Sequence, residues 1–167
     1  GGQSDLQSRN PMLSADGRSV AFESDASNLI IGDNNGKSDI FVYDLRSGTI
    51  TCASVSSAEL PALGNSNNAA ISADGRYVAF ESDASNLVVG DTNGYPDIFV
   101  RDLVSGETTR ANVSATGAQS DGFSETPVIS ADGRYVAFST NAENLIAGDI
   151  NGRWDIYVRD MQSNEIK

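Results

Sequence analysis

The stretch Gly32-Asp33-Asn34-Asn35-Gly36-Lys37-Ser38-Asp39-Ile40-Phe41-Val42-Tyr43-Asp44 returns as Gly90 to Asp102 and again as Gly148 to Asp160. Inside the shared D-x-N-G-x-x-D, the x positions vary freely (Asn34, Thr92, Ile150; Lys37, Tyr95, Arg153; Ser38, Pro96, Trp154), while Asp, Asn, Gly and the second Asp are kept. The match extends outward through Ser-Ala-Asp-Gly-Arg, Val-Ala-Phe and Asn-Leu. Asp16, Asp74 and Asp132 of the Ser-Ala-Asp-Gly-Arg segment follow one another at 58 residues. A fixed period of this size marks a repeat architecture and takes precedence over propensity arguments. The chain therefore reads as a single domain over 1–167, made of repeats at approximately 1–58, 59–116 and 117–167.

Each repeat reads as four short strands. The first lies around Met12-Leu13-Ser14 and its copies, and it runs into Ala-Asp-Gly-Arg, where Asp-Gly between extended runs is a hairpin signal. The second is Val20 to Ser24, and the third is Ile40 to Tyr43. After a Ser47-Gly48 or Ser105-Gly106 turn, the fourth covers Thr49 to Ser56 or Glu107 to Ser114; in the third copy the chain stops at Lys167, which aligns with Thr109. Strands two and three are apolar on both faces, so both faces must be covered. Four-stranded antiparallel sheets packed face to face at a fixed period describe a β-propeller. No segment carries a sustained helical period, and no helix is expected.

Ser-Ala-Asp-Gly-Arg-Tyr-Val-Ala-Phe (Ser72 to Phe80) followed by Asp-Ile-Phe-Val-Arg-Asp-Leu (Asp97 to Leu103) resembles the WD-like propeller repeat of TolB and related bacterial proteins, and the resemblance covers the whole chain. It implies an all-β, six-bladed propeller, usually exported to the periplasm or beyond, that acts as a protein-interaction scaffold. The repeats here are longer than that family's blade by the Asp25 to Ser38 insertion, and TolB's N-terminal domain and partner-binding segment are not matched. Three blades do not close a ring of the usual four to eight. An open arc would expose two apolar blade faces, more than a soluble monomer tolerates. The expectation is a homodimer closing six blades head to tail, with a fragment of a longer propeller as the alternative.

With 11 basic and 23 acidic residues, the net charge of −12 disfavours nucleic acid and anionic membrane and favours cations or a basic protein surface. No window reaches the length of a membrane span, and Gly1-Gly2-Gln3-Ser4 lacks a signal pattern. A start without Met reads as a processed chain or a fragment. The absence of His removes the commonest general base and zinc ligand. The single Cys52 is expected as a small half-buried residue.

The Asp25 to Ser38 loop is far longer than a hairpin connection, and loops of this length usually carry function. Its D-x-N-G-x-x-D has the spacing of the middle of a calcium loop: Asp33, Asn35, Gly36 and Asp39 fall at positions 3, 5, 6 and 9, with the Lys37 carbonyl at 7. The candidate ligands are Asp33, Asn35 and Asp39, then Asp91, Asn93 and Asp97, then Asp149, Asn151 and Asp155, with Ca²⁺ as the cofactor. Position 1 (Ile31, Val89, Ala147) and position 12 (Val42, Val100, Val158) offer no oxygen side chain. A site would have to recruit Asp25 or Asp83; the third copy has Asn141 there. The competing reading is structural: Asn-Gly forms a turn and the aspartates satisfy backbone amides.

Asp44, Asp102 and Asp160 are expected to tie turns. Ser14, Ser72 and Ser130 have no His partner for nucleophilic chemistry. Tyr95 and Trp154 are expected to cover neighbouring loops, and Asn112-Val113-Ser114 has the form of a glycosylation acceptor, set aside because the resemblance is bacterial. Near-identity of the copies favours a non-enzymatic binding or scaffolding module, because catalysis needs distinct acid, base and nucleophile roles. A fragment of a larger propeller enzyme or carbohydrate-binding protein is the alternative.

Overall fold

The computed structural model describes residues 3–167; Gly1 and Gly2 of the Gly1-Gly2-Gln3-Ser4 start lie outside them. The strands are β1 (Ser8–Leu13), β2 (Ser19–Ser24), β3 (Asp39–Asp44), β4 (Ile50–Cys52), β5 (Ser66–Ile71), β6 (Tyr77–Ser82), β7 (Asp97–Asp102), β8 (Glu107–Arg110), β9 (Ser124–Ile129), β10 (Tyr135–Thr140) and β11 (Asp155–Asp160), with no helix among the described residues. They form three antiparallel sheets in chain order, β1 to β4, β5 to β8 and β9 to β11. The second and third strands pair in the same register in all three: Phe22 opposite Phe41, Phe80 opposite Phe99, Phe138 opposite Tyr157.

Two expectations need correction. The fourth strands are shorter than the alternating runs predicted, because the chain leaves the sheet at Ala53 and Ala111 and folds back on itself through the bridges Val55–Pro61 and Val113–Gln119. In the third blade the fourth strand is reduced to one bridge, Arg159–Ile166. The innermost strands begin earlier than predicted, at Ser8, Ser66 and Ser124, because each continues through a bulge. Asn10, Asn68 and Thr126 take positive φ there (51°, 53° and 52°). Pro11 and Pro127 sit in these bulges, where a missing N–H breaks no ladder bond.

The core lies between blades. Ala21, Ile40 and Val42 of the first blade pack on Val78, Phe80 and Phe99 of the second. Ala79, Ile98 and Val100 of the second pack on Val136, Phe138 and Tyr157 of the third. The first half of the long loop belongs to this core: Leu87 and Leu145 are buried in the two interfaces, each contributing roughly 1.5–3 kcal/mol. That apolar anchor explains why the insertion is ordered.

At the two ends of the arc the same residue types meet solvent. Ile98 is fully buried and its third-blade counterpart Ile156 is 69% exposed; Val100 and Val158 differ as 4% and 38%. At the other end, Val20 and Phe22 are only half-buried, while Val78 and Phe80 are wholly covered. The Ala-Asp-Gly turns link blade to blade: Asp16 N–H donates to the Ala73 carbonyl at 3.0 Å, and Ala73 N–H to that of Ala131 at 2.9 Å.

Candidate functional site

Gly36, Gly94 and Gly152 adopt positive φ (65°, 72° and 62°), which only glycine takes without cost, so the turn of D-x-N-G-x-x-D closes identically three times. The preceding Asn makes an Asx-turn. Its Oδ1 accepts the backbone N–H two residues on, from Lys37 at 2.8 Å, Tyr95 at 3.3 Å and Arg153 at 2.7 Å. The amide nitrogen is thereby aimed at the second Asp: Asn35 Nδ2 donates to Asp39 at 2.7 Å, Asn93 to Asp97 at 3.0 Å and Asn151 to Asp155 at 3.0 Å. Asn35 and Asn93 also donate to the Ala62 and Ser120 carbonyls, both at 3.1 Å, clasping the linker to the next blade.

The sequence-predicted ligands thus come together in pairs and do not form a cage. The Asn turns a donor toward the carboxylate, whereas a calcium ligand must present oxygen. Asp25 is taken by Arg9 at 2.8 Å, Asp83 accepts Asn65 N–H at 2.6 Å, and Asn141 accepts Phe123 N–H at 2.8 Å. None of these is recruited to the motif. In the third blade Asp149 accepts the Tyr157 hydroxyl. Among the described residues, no three His, Cys, Asp or Glu side chains converge at metal-ligand spacing. The donor set does not fit calcium as it stands.

The blades differ at the carboxylate pair. In the second blade, Arg110 Nη1 lies between Asp91 at 3.1 Å and Asp97 at 2.9 Å, with Gln119 Oε1 at 3.1 Å. Asp97 is fully buried and also accepts Asn112 Nδ2 at 2.6 Å. Asn112 is itself fully buried, so the acceptor-like Asn112-Val113-Ser114 is core structure. In the first blade the position of Arg110 is Cys52 and that of Gln119 is Pro61. The pair Asp33 and Asp39 there borders a cavity of about 440 Å³, also lined by Asn35, Cys52, Glu59 and Pro61. Asp39 is 2% exposed and accepts Ser54 Oγ at 2.6 Å. Burial raises the carboxyls of Asp39 and Asp33 above the ordinary value, more strongly than Ser54 and Asn35 lower that of Asp39. Burial likewise pushes the Cys52 thiol up to about 12. Cys52 is therefore a neutral thiol, as its half-buried sequence position implied.

A second difference lies at the inner strands. Just before each bulge stand Arg9, Asn67 and Glu125, one cation, one amide and one anion. Arg9 bonds Glu23 at 3.0 Å, and Glu23, only 2% exposed, also accepts Asn68 N–H at 2.7 Å from the next blade. The bulges wall a cavity of about 360 Å³. Near-identity between copies hid both asymmetries; aligning the three copies column by column is the signal that exposes them.

The remaining candidates are structural. Asp44, Asp102 and Asp160 accept two backbone amides each in the turn that follows, as at Arg46 (2.8 Å) and Ser47 (2.7 Å). Ser14, Ser72 and Ser130 donate to Asp16, Asp74 and Asp132 at 2.6, 2.7 and 2.5 Å, locking the hairpin turns. Tyr95 packs edge-on against Phe123 at 4.9 Å between ring centres, and Trp154 stays 48% exposed.

Three solved structures similar to the chain are a putative TolB from Agrobacterium tumefaciens (TM-score 0.61, 19% identity, 99% of this chain and 47% of that one), TolB from Acinetobacter baumannii (0.57, 19%, 97% and 32%) and a puromycin-hydrolyzing peptidase of Mycobacterium tuberculosis (0.59, 13%, 97% and 20%). The chain thus spans less than half the length of each. No family model and no curated protein matches it. The fold is that of a TolB-like β-propeller, of which this chain supplies three blades.

Proposed function

We propose that this chain is a non-enzymatic propeller module that works by binding other proteins, and that its open blade faces are closed by a second copy to make a six-bladed ring. The observation that supports closure is the exposure of Ile156 and Val158 at one end and the half-burial of Val20 and Phe22 at the other, against the full burial of their repeat counterparts. The end face of the third blade carries the residue types that already pack on the second and third blades. It therefore suits the first blade's face in another copy, and a two-fold arrangement hides both faces at once. A binding role is favoured because the turn serines and aspartates are spent on backbone and on each other. Export is part of the same reading and rests on the TolB likeness.

Sedimentation velocity tests closure. The wild type is expected to run as a dimer at micromolar concentration and Ile156→Glu as a folded monomer; a wild-type monomer overturns the ring. The likeness to a peptidase supports a second reading, in which the arc is part of a larger enzyme. Amide hydrolysis by the purified chain would favour it.

A further inference from the structure

We propose that the first blade holds a receptor slot for an arginine side chain of a partner protein, between Asp33 and Asp39. This rests on the binding-module reading above and names the chemistry the module recognises. The second blade serves as an internal template, because there the same carboxylate pair is spanned by one guanidinium, that of Arg110. The strand register is the same at both places: Phe41 stands opposite Cys52 as Phe99 stands opposite Arg110. Cys52 is shorter than arginine by the whole charged head, and Pro61 in place of Gln119 removes a polar neighbour. What the second blade fills with its own cation, the first leaves as a cavity of about 440 Å³.

The carboxylates stay in place without the cation. Asp39 is buried and braced by Ser54 and Asn35. A buried carboxylate that is braced only by neutral groups gains most from a charged donor, and burial keeps such a pair from being screened. Cys52 brings no charge of its own to compete. In the second blade the equivalent acids, Asp91 and Asp97, hold the guanidinium nitrogen at about 3 Å from each oxygen, a longer reach than the roughly 2.3–2.6 Å of a calcium ligand. The net charge of −12 brings a basic segment toward the opening.

The test is a ¹⁵N NMR titration of the intact chain with the tripeptide amide acetyl-Gly-Arg-Gly and, as the neutral isostere, acetyl-Gly-citrulline-Gly. The arginine peptide is expected to shift the amides of Asp33, Asn35, Asp39 and Thr51, and the citrulline peptide to leave them unmoved. Asp39→Asn is expected to weaken binding at least about tenfold. Cys52→Arg, which refills the slot as Arg110 does, is expected to abolish binding and raise the melting temperature by about 2–4 °C. The Asp39→Asn arm keeps the test valid if Cys52→Arg does not fold. Equal response to both peptides, or undiminished binding by Asp39→Asn, overturns the proposal. So does a melting shift of the wild type with Ca²⁺ or Zn²⁺ without arginine binding, which would assign the slot to a metal. Cleavage of the tripeptide during the titration would instead overturn the non-enzymatic reading and leave the slot standing.

Discussion

Arg76 and Asp102 face each other through two hydrogen bonds, Nε to Oδ1 at 2.9 Å and Nη2 to Oδ2 at 2.7 Å, and the repeat-equivalent Arg18 turns instead to Asp16 at 3.9 Å. Arg134 and Asp160 repeat the pairing, with Nη2 to Oδ2 at 2.7 Å. The neighbour one residue on separates the cases. Tyr77 and Tyr135 lie against the guanidinium at 4.7 and 4.9 Å from the ring centre, and the first blade has Ser19 there. A flat aromatic face restricts the arginine to the side of the turn where the carboxylate waits.

Asp102→Ala removes this pair together with two turn amides' acceptor, whereas Asp44→Ala removes an acceptor for two turn amides alone. Asp102→Ala is therefore expected to cost about 0.5–1 kcal/mol more than Asp44→Ala, the modest size reflecting the partial exposure of Arg76. Urea unfolding of the two variants measures the difference. Equal losses would show that the arginine adds nothing.

Gly133 and Gly148 both have positive φ (73° and 93°), but a Cβ at Gly133 would collide with the Tyr77 ring of the preceding blade, and one at Gly148 would meet open space. Gly148→Ala is expected to cost about 1 kcal/mol through backbone conformation alone. Gly133→Ala adds overpacking worth about 1–3 kcal/mol. Thermal melts of both variants should rank them in that order.

Acid should unfold the protein through identifiable carboxylates. Asp102 and Asp160 are held below the ordinary value of 3.8 mainly by Arg76 and Arg134, and Asp16, Asp74 and Asp132 by the hydroxyls of Ser14, Ser72 and Ser130. A carboxyl depressed on folding contributes stability that is full above its unfolded value and is lost as pH falls through the folded one. Asp33, Asp39 and Asp91 run the other way: burial raises them, so their charge costs stability near neutrality and protonation relieves it. Asp102→Asn is expected to lose less stability than the wild type between about pH 5 and about pH 2, and Asp39→Asn to lose more. Denaturant midpoints across that range decide.

The Asn clasp predicts how the loops respond to calcium. With Asn35 Nδ2 donating to Asp39, the wild-type melting temperature should be the same in chelator and in millimolar Ca²⁺. Asn35→Asp places a second carboxylate where a donor stood and should lower it by about 2–4 °C. A calcium-dependent rise in the wild type would show that the amides turn to present oxygen.

The repeat period, the strand content and the Asp-Gly turns were legible because each depends on contacts within one blade, and the propeller because a pattern apolar on both faces of its central strands is written three times. The role of Asp44, Asp102 and Asp160 as turn ties was legible for the same reason, since their partners lie two and three residues away. What Asp33 and Asp39 do was not legible, because the D-x-N-G-x-x-D spacing fits a calcium loop and an Asx-turn equally well. Only the fold shows the amide of Asn35 spent on Asp39. It also carries position 52 on β4 to the carboxylate pair, so that Cys52 and Arg110 become the residues that leave the pair open or close it. The bulges that bring Arg9, Asn67 and Glu125 to the inner strands depend likewise on neighbours in other strands. Hydrogen-bond direction and cross-strand proximity are set by how sheets pair and stack, a separation in space that no spacing along the chain encodes.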